Sequence, residues 1–529
     1  MKEVEKIQNP KSRPGDRNLG VLYDNGKVRK RREWRGFKDT AYDFSRWLYV
    51  WGIMIKTSMG KGFIKGLFRY RWMSNYLAVP HMIDKYTIGL RGEPLRITRT
   101  SIDFVAKEVA GIITQCLRAD RRCGNDVAFS DKCVLVDENA MTAFLMGFPD
   151  LVPLQREVPT LFAANLINQR SAEHYIDVAQ SYGIPGDVCP MPETEAGVSI
   201  EDDFVVAGKC AVQVNTTCDG SMLGNGIIAK RLEKEYGIPT FQLAAPIRFK
   251  AEDVQEYAAE DIKQAIAFVE KETGAKWDWE AYFAAAKRVN NTTRNRLEWL
   301  DVNSTSYPQF IGAAFCLYND TNYMGNCGRS KIFPKVDDKI MKLVHKGYQN
   351  QTMMASEYRH RCMVWGVQPH YVFDMLYWMV QCWGVVPLSD MLSMVIDKPI
   401  AETDTPENRE QAYLDMAYLQ ENMIMRNHTH GGYPALLDEL WENCEKMNAD
   451  MVLLWEHMAC KALAGMHGQF EEQARAHGIH LVWVSHDLCD PRLATRQAIR
   501  DQFNRYMRTV MQEEPLDSSL EILPDSDAW

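Results

Sequence analysis

Cys218 and Cys460 hold matching places in two stretches of the chain built to one plan. Each stretch reads as an apolar strand, a short turn, a cysteine, an amphipathic helix and a second apolar strand. The first runs from "CAVQVNTTC" to "IPTFQLAAP", the second from "DMVLLWEHMAC" to "IHLVWVSHDL". Cys218 precedes Gly237 by 19 positions, and Cys460 precedes Gly478 by 18. Such a βαβ unit sets its thiol at the carboxyl end of the first strand, where open α/β sheets place their ligands. The following helix N-terminus favours the thiolate, which is the form that binds metal.

A third thiol, Cys189, lies 29 positions before Cys218 in "IPGDVCPMPETEAG", whose prolines and glycines are expected to exclude regular structure. If two α/β domains face each other through their strand ends, all three cysteines converge in one cleft. Three thiolates on one [4Fe–4S] cluster would leave an iron open, both a Lewis acid and an electron carrier. The structural alternative is a small buried hydrophobe at each place. Repetition at equivalent positions weighs against it. The other ten cysteines (116, 123, 133, 210, 316, 327, 362, 382, 444 and 489) are read as structural. His457 and His467 flank Cys460 and are candidates for proton exchange, although a lone histidine near a strand end more often packs.

The elements that position these residues follow from pattern and breakers. A chain of 529 residues exceeds one core, so several domains are expected. Residues 1–130 read as a basic arm and aromatic helices, 131–250 as a first α/β domain and 251–355 as a helical connector. Residues 356–512 read as a second α/β domain and 513–529 as an acidic, frayed tail. The fold class is therefore α/β: two Rossmann-like domains with parallel sheets, a helical connector and a mostly helical N-terminal extension. "VPTLFAANLINQRSAEHYIDVAQSYG" reads as helical, and Asp278 as the cap of the helix beginning "WEAYF".

A net charge of −9 argues against nucleic acid as a partner. The first 40 residues are an exception, with 12 Lys or Arg against 6 Asp or Glu, read as a solvated or docking arm. The polar start is not that of a signal peptide. Thirteen irregularly spaced cysteines form no disulfide framework and no CxxC pair, which points to a reducing cytoplasm. "WLYVWGIMI" (Trp47 to Ile55) is too short to cross a bilayer, which takes about 20 residues. It is read as packing on another subunit or on the core, in preference to lying on a membrane surface.

The segments "GIPGDVC", "VNTTCD", "EHMACK" and "HDLCDPR", in this order, resemble those of the 2-hydroxyacyl-CoA dehydratase family, which includes the benzoyl-CoA reductase subunits. The resemblance extends over roughly residues 131–512 and takes in "YRHRCMVWG" and Asp490-Pro491-Arg492. It implies a pair of related subunits, an oxygen-sensitive [4Fe–4S] cluster on Cys189, Cys218 and Cys460, and an ATP-dependent iron–sulfur activator protein. It also implies an acyl-CoA substrate, with water lost through a ketyl radical anion, or alternatively low-potential reduction of an acyl-CoA. A non-catalytic electron-relay or structural subunit and a cluster-free binding protein are further readings. No G-x-G-x-x-G stands at either βα turn, which disfavours the last. Glu138 falls where the family often has a glutamate opening a helix; a plain helix-start carboxylate is the alternative. Arg492 could meet CoA phosphates or Asp490, and a structural role is preferred. Trp365 stands where the family often has Glu, which leaves the catalytic standing of this subunit open.

Overall fold

The computed structural model describes residues 6–8, 23–24, 27–28, 37–58, 62–73, 79, 82–83, 86–87, 90–124, 126–137, 142–162, 172–215, 218–244, 252–324, 327–391, 398–422 and 434–522.

The first sheet comprises β1 (Cys133–Val136), β2 (Val152–Gln155), β3 (Cys210–Asn215) and β4 (Thr240–Ala244). All pair in parallel, in the order β2-β1-β3-β4. The second comprises β5 (His360–Trp365), β6 (Val385–Asp390), β7 (Met451–His457) and β8 (His480–His486). These too are parallel, in the order β6-β5-β7-β8. Counted within its own half, each sheet runs second-first-third-fourth. The strand order thus reverses between the first and third strands of each sheet, and such a reversal is where doubly wound folds open a crevice. Parallel strands need crossover helices that cover both faces, so their sequences are continuous apolar runs. "CVLV" of β1 and "HRCMVW" of β5 are accordingly buried throughout.

The N-terminal region contributes α1 (Phe37–Ser58), α2 (Phe63–Arg69) and α3 (Gly92–Ala119), of which α3 is the buried one. In the first domain, α4 (Glu173–Ser181) and α5 (Pro190–Ile200) pack together, and α6 (Asp219–Tyr236) links β3 to β4. Helices α7 (Glu252–Thr273), α8 (Trp279–Ser304), α9 (Ala313–Met324) and α10 (Phe333–Gln349) lie between the sheets in sequence. Asp278 caps α8, accepting from the N–H of Glu280 at 2.8 Å and of Ala281 at 3.3 Å. At the far end of α8, Arg361 donates to the carbonyls of Asn303, Ser304 and Thr305, and so ties the connector to β5. Among the described residues no helix is long and apolar enough to cross a membrane.

Two expectations need correction, on the Cys189 segment and on the acidic tail. The Cys189 segment is a loop only as far as Cys189, since Pro190 begins α5. Proline suits a helix's first turn, where its missing N–H would have no intrahelical partner anyway. The stretch after Val158 is helical where it is described, as a π-helical turn at Val158–Phe162 and as α4, and its middle lies outside the described residues. The acidic tail is anchored as far as Leu520: the Leu516 N–H donates to the Cys382 carbonyl at 2.7 Å, and Leu520 is buried.

Candidate functional site

Cys189, Cys218 and Cys460 share one structural role. Each is the residue immediately before a helix: α5, α6 and the short α11 (Lys461–Ala464). Each backbone carbonyl accepts the first intrahelical bond, from Glu193, Met222 and Ala464 respectively. Each thiol therefore stands at the N-terminal end of a helix, near its first N–H groups. They are also the only half-buried cysteines; the other ten are buried, as a structural role requires.

The three positions converge. A Cβ added at Gly220 would stand 3.3 Å from Cys189 Cβ, and one at Gly224 would stand 3.0 Å from Pro192 Cβ. Glycine therefore lets the first turns of α6 approach the Cys189 segment closely. From the second domain, Lys461 Nζ reaches Asp219 Oδ2 at 2.5 Å and Asp187 Oδ2 at 3.4 Å. Burial pushes the Cys189 thiol well above its ordinary range, and the Cys218 and Cys460 thiols push it the same way. The Met191 N–H pulls against them. Burial likewise raises Cys460; the N–H groups of Leu463 and Ala462 oppose this, while Cys218 and Asp219 add to it. Cys189 and Cys460, each raised in part by a neighbouring thiol, suit a cation that would hold them as thiolates.

Behind the cysteines lie buried ionisable groups contributed by both halves. Glu193, in the first turn of α5, is pushed up to about 7 by burial and by Asp487, Asp490 and Asp177, against the side chain of Gln180. Asp487 follows β8 and is pushed up to about 6 by burial, although it accepts from the N–H groups of Cys489 and Asp490. Arg492 grips Asp490 with its Nε and Nη2 and reaches Asp177 of α4 at 2.9 and 3.0 Å. The Asp-Pro-Arg triplet is thus a tie between the halves, in keeping with its structural reading.

The histidine candidates separate. His457, at the end of β7, is buried and stacks on His486 with ring centroids 5.8 Å apart. Burial pushes His457 down to about 4, against the backbone of His486, and His486 to about 3, against the backbone of Asp487 and Val367. His467 is half exposed and lies flat on Trp483 at 3.9 Å. Trp365 is fully buried at the end of β5, its indole N–H unpartnered among the described residues. Glu138 lies outside the described residues. The sequence reading passed over Lys461, Asp219, Glu193 and Asp487. One signal was available: Cys218 is followed by an acid and Cys460 by a base, as suits segments that meet.

Among the described residues no three His, Cys, Asp or Glu side chains stand close enough to hold a single metal ion. A four-iron cube carries its thiolates on separate corners, farther apart than donors around one ion. In donor type, exposure and placement at helix N-termini, the three cysteines fit such a cluster.

Residues 150–506 match the family described as 2-hydroxyglutaryl-CoA dehydratase, D-component. That span contains all three cysteines, both histidines and the Asp490–Arg492 tie. Among curated proteins, none matches the chain. With about two thirds of its length matched, the chain belongs to the 2-hydroxyglutaryl-CoA dehydratase D-component family.

Proposed function

We propose that the chain is an iron–sulfur subunit of a radical 2-hydroxyacyl-CoA dehydratase, its [4Fe–4S] cluster held by Cys189, Cys218 and Cys460. One observation carries this reading: of thirteen cysteines, the three that are half buried all precede helices at the place where the two sheets meet. When bound, such a cluster supplies an electron at low potential and an iron open to an oxygen ligand.

The chain's own groups serve that chemistry in three ways. The N-termini of α5 and α6 offset the negative charge of thiolates. Lys461 sets a cation beside them and joins the segments that carry them. Glu193, Asp487 and the Arg492 tie close the inner side against water. Dehydration removes the 2-hydroxyl and a C3 proton as water and forms the C2–C3 double bond, with no net oxidation. A 2-hydroxyl leaves poorly and the C3 proton is weakly acidic, which is why acid–base catalysis alone serves badly here. Glu138 and neutral His457 are the proposed proton-handling groups.

A D-component implies a partner subunit in a complex; we take that partner to be a related subunit, with an ATP-dependent iron–sulfur activator supplying the electron in the cytoplasm. A relay role feeding the partner's site is the second reading, favoured by the buried, apolar indole of Trp365 where the family often has a glutamate. Anaerobic assay of the complex with its activator on 2-hydroxyacyl-CoA and aryl-CoA thioesters tests dehydration against reduction. Formation of the 2-enoyl-CoA supports dehydration; ring or acyl reduction alone overturns it.

A further inference from the structure

Helix α1 is 22 residues long, yet among its described side chains only Asp43 and Val50 are buried. It rests on α3 by its charges: Asp43 meets Arg99 at 2.9 Å and Asp39 meets the same guanidinium at 3.2 Å. These are the only carboxylates in α1, and both turn inward. Phe37, Tyr42, Phe44, Leu48, Tyr49 and Ile55 are exposed instead. Arg46 stands among them, over the rings of Tyr42 and Tyr49. Helix α2, beside Leu117 at the far end of α3, contains no carboxylate. It exposes Ile64, Leu67 and Phe68, the last at 89%.

Among the described residues, nine of the 21 exposed large hydrophobic side chains thus fall within residues 37–68. An apolar concentration of this kind marks a surface that something covers. The core takes Val50 and part of Trp51 from α1 and leaves these side chains exposed. The matched family span begins at residue 150, so this face is not part of what the family shares. Its charge is one-sided: Lys38 and Lys65 are exposed within it, and Arg29, Lys30, Arg31, Arg32 and Arg35 precede α1 against Glu33 alone.

We propose that α1 and α2 attach this protein to an anionic lipid bilayer surface, lying in the headgroup region without crossing it. Aromatic rings prefer that interface, aliphatic side chains enter the acyl boundary, and lysine and arginine meet anionic headgroups. A protein partner would have to supply both an apolar surface and a matching acidic rim.

The test is co-sedimentation of the full chain with vesicles of phosphatidylcholine alone or with added phosphatidylglycerol. The expected result is binding on the order of tenfold stronger to the anionic vesicles, weakened by high salt. Leu48→Glu and Phe68→Glu, both at exposed positions, should each reduce it on the order of tenfold with an unchanged circular dichroism spectrum. Failure to sediment with anionic vesicles, or equal binding to neutral ones, overturns the proposal. So does light scattering that shows a dimer dissociated by Leu48→Glu, which would make a second copy the occupant. Iron content is measured on the same samples, so failure here leaves the cluster reading untouched.

Discussion

Lys461 Nζ lies 2.5 Å from Asp219 Oδ2, so the residue after Cys460 grips the residue after Cys218. The pair joins two halves 242 positions apart in sequence, and Asp187, two residues before Cys189, shares the same ammonium. Although partial burial opposes it, Lys461 and the Gly220 N–H hold the Asp219 carboxyl below the usual carboxylate range. All three partners are solvent-exposed, so Lys461→Met should leave the denaturant midpoint of unfolding nearly unchanged. The same variant should lose iron to a chelator several-fold faster. Unchanged iron loss would show that the grip does not serve the cysteines.

The second tie is stronger, because Arg492 holds Asp490 and Asp177 at once with paired contacts. Bidentate geometry strengthens such pairs, and partial exposure limits the gain. Arg492→Ala should therefore destabilise the chain by about 1–2 kcal/mol and leave Asp490 without its cation. Urea unfolding under anaerobic conditions checks this. Arg492→Lys should recover only part of the loss, since an ammonium cannot reproduce the fork.

His486 is fully buried and pushed down to about 3, against an ordinary value of 6.5, chiefly by burial and then by His457. The unfolded chain takes up a proton there below pH 6.5 while the folded chain does not. The stability linked to this group is present above pH 6.5 and is lost as pH falls. Glu193 and Asp487, raised to about 7 and about 6, act in the opposite sense. A difference against a variant isolates the histidine. Between pH 6.5 and 5, His486→Gln should lose about 2 kcal/mol less stability than the native chain. Equal losses would mean that His486 is already charged at pH 6.5.

Trp365 fills the core at the end of β5, beside Leu454 of β7. Trp365→Glu would put a carboxylate at a fully buried place where the indole N–H has no hydrogen-bond partner among the described residues. The expected cost is at least about 3 kcal/mol in unfolding free energy, from a cavity together with an unpaired acid. A change below 1 kcal/mol would show that the crevice reaches this side chain and that water or a charge awaits the acid there.

The duplicated plan was legible because a strand–cysteine–helix–strand pattern has two periods in a row, and both copies became parallel strand pairs with intervening helices. The start of α5 was not, because "CPMPE" combines loop composition with the proline positions that a helix N-terminus tolerates. Glu193 and Asp487 were missed for a different reason. Their environment is made by the meeting of two halves almost 300 residues apart, and no local pattern encodes that. The strand order second-first-third-fourth, repeated in both sheets, is likewise a property of crossovers rather than of any one segment.

The central claim is tested most directly by iron and acid-labile sulfide analysis, with an EPR spectrum, of the anaerobically purified chain and its Cys189→Ser, Cys218→Ser and Cys460→Ser variants. The account predicts about four irons and four sulfides per native chain, lost or sharply reduced in each variant while substitution of buried Cys444 by alanine leaves them in place. A native chain that is colourless and free of iron, or iron retained in all three variants, would contradict it.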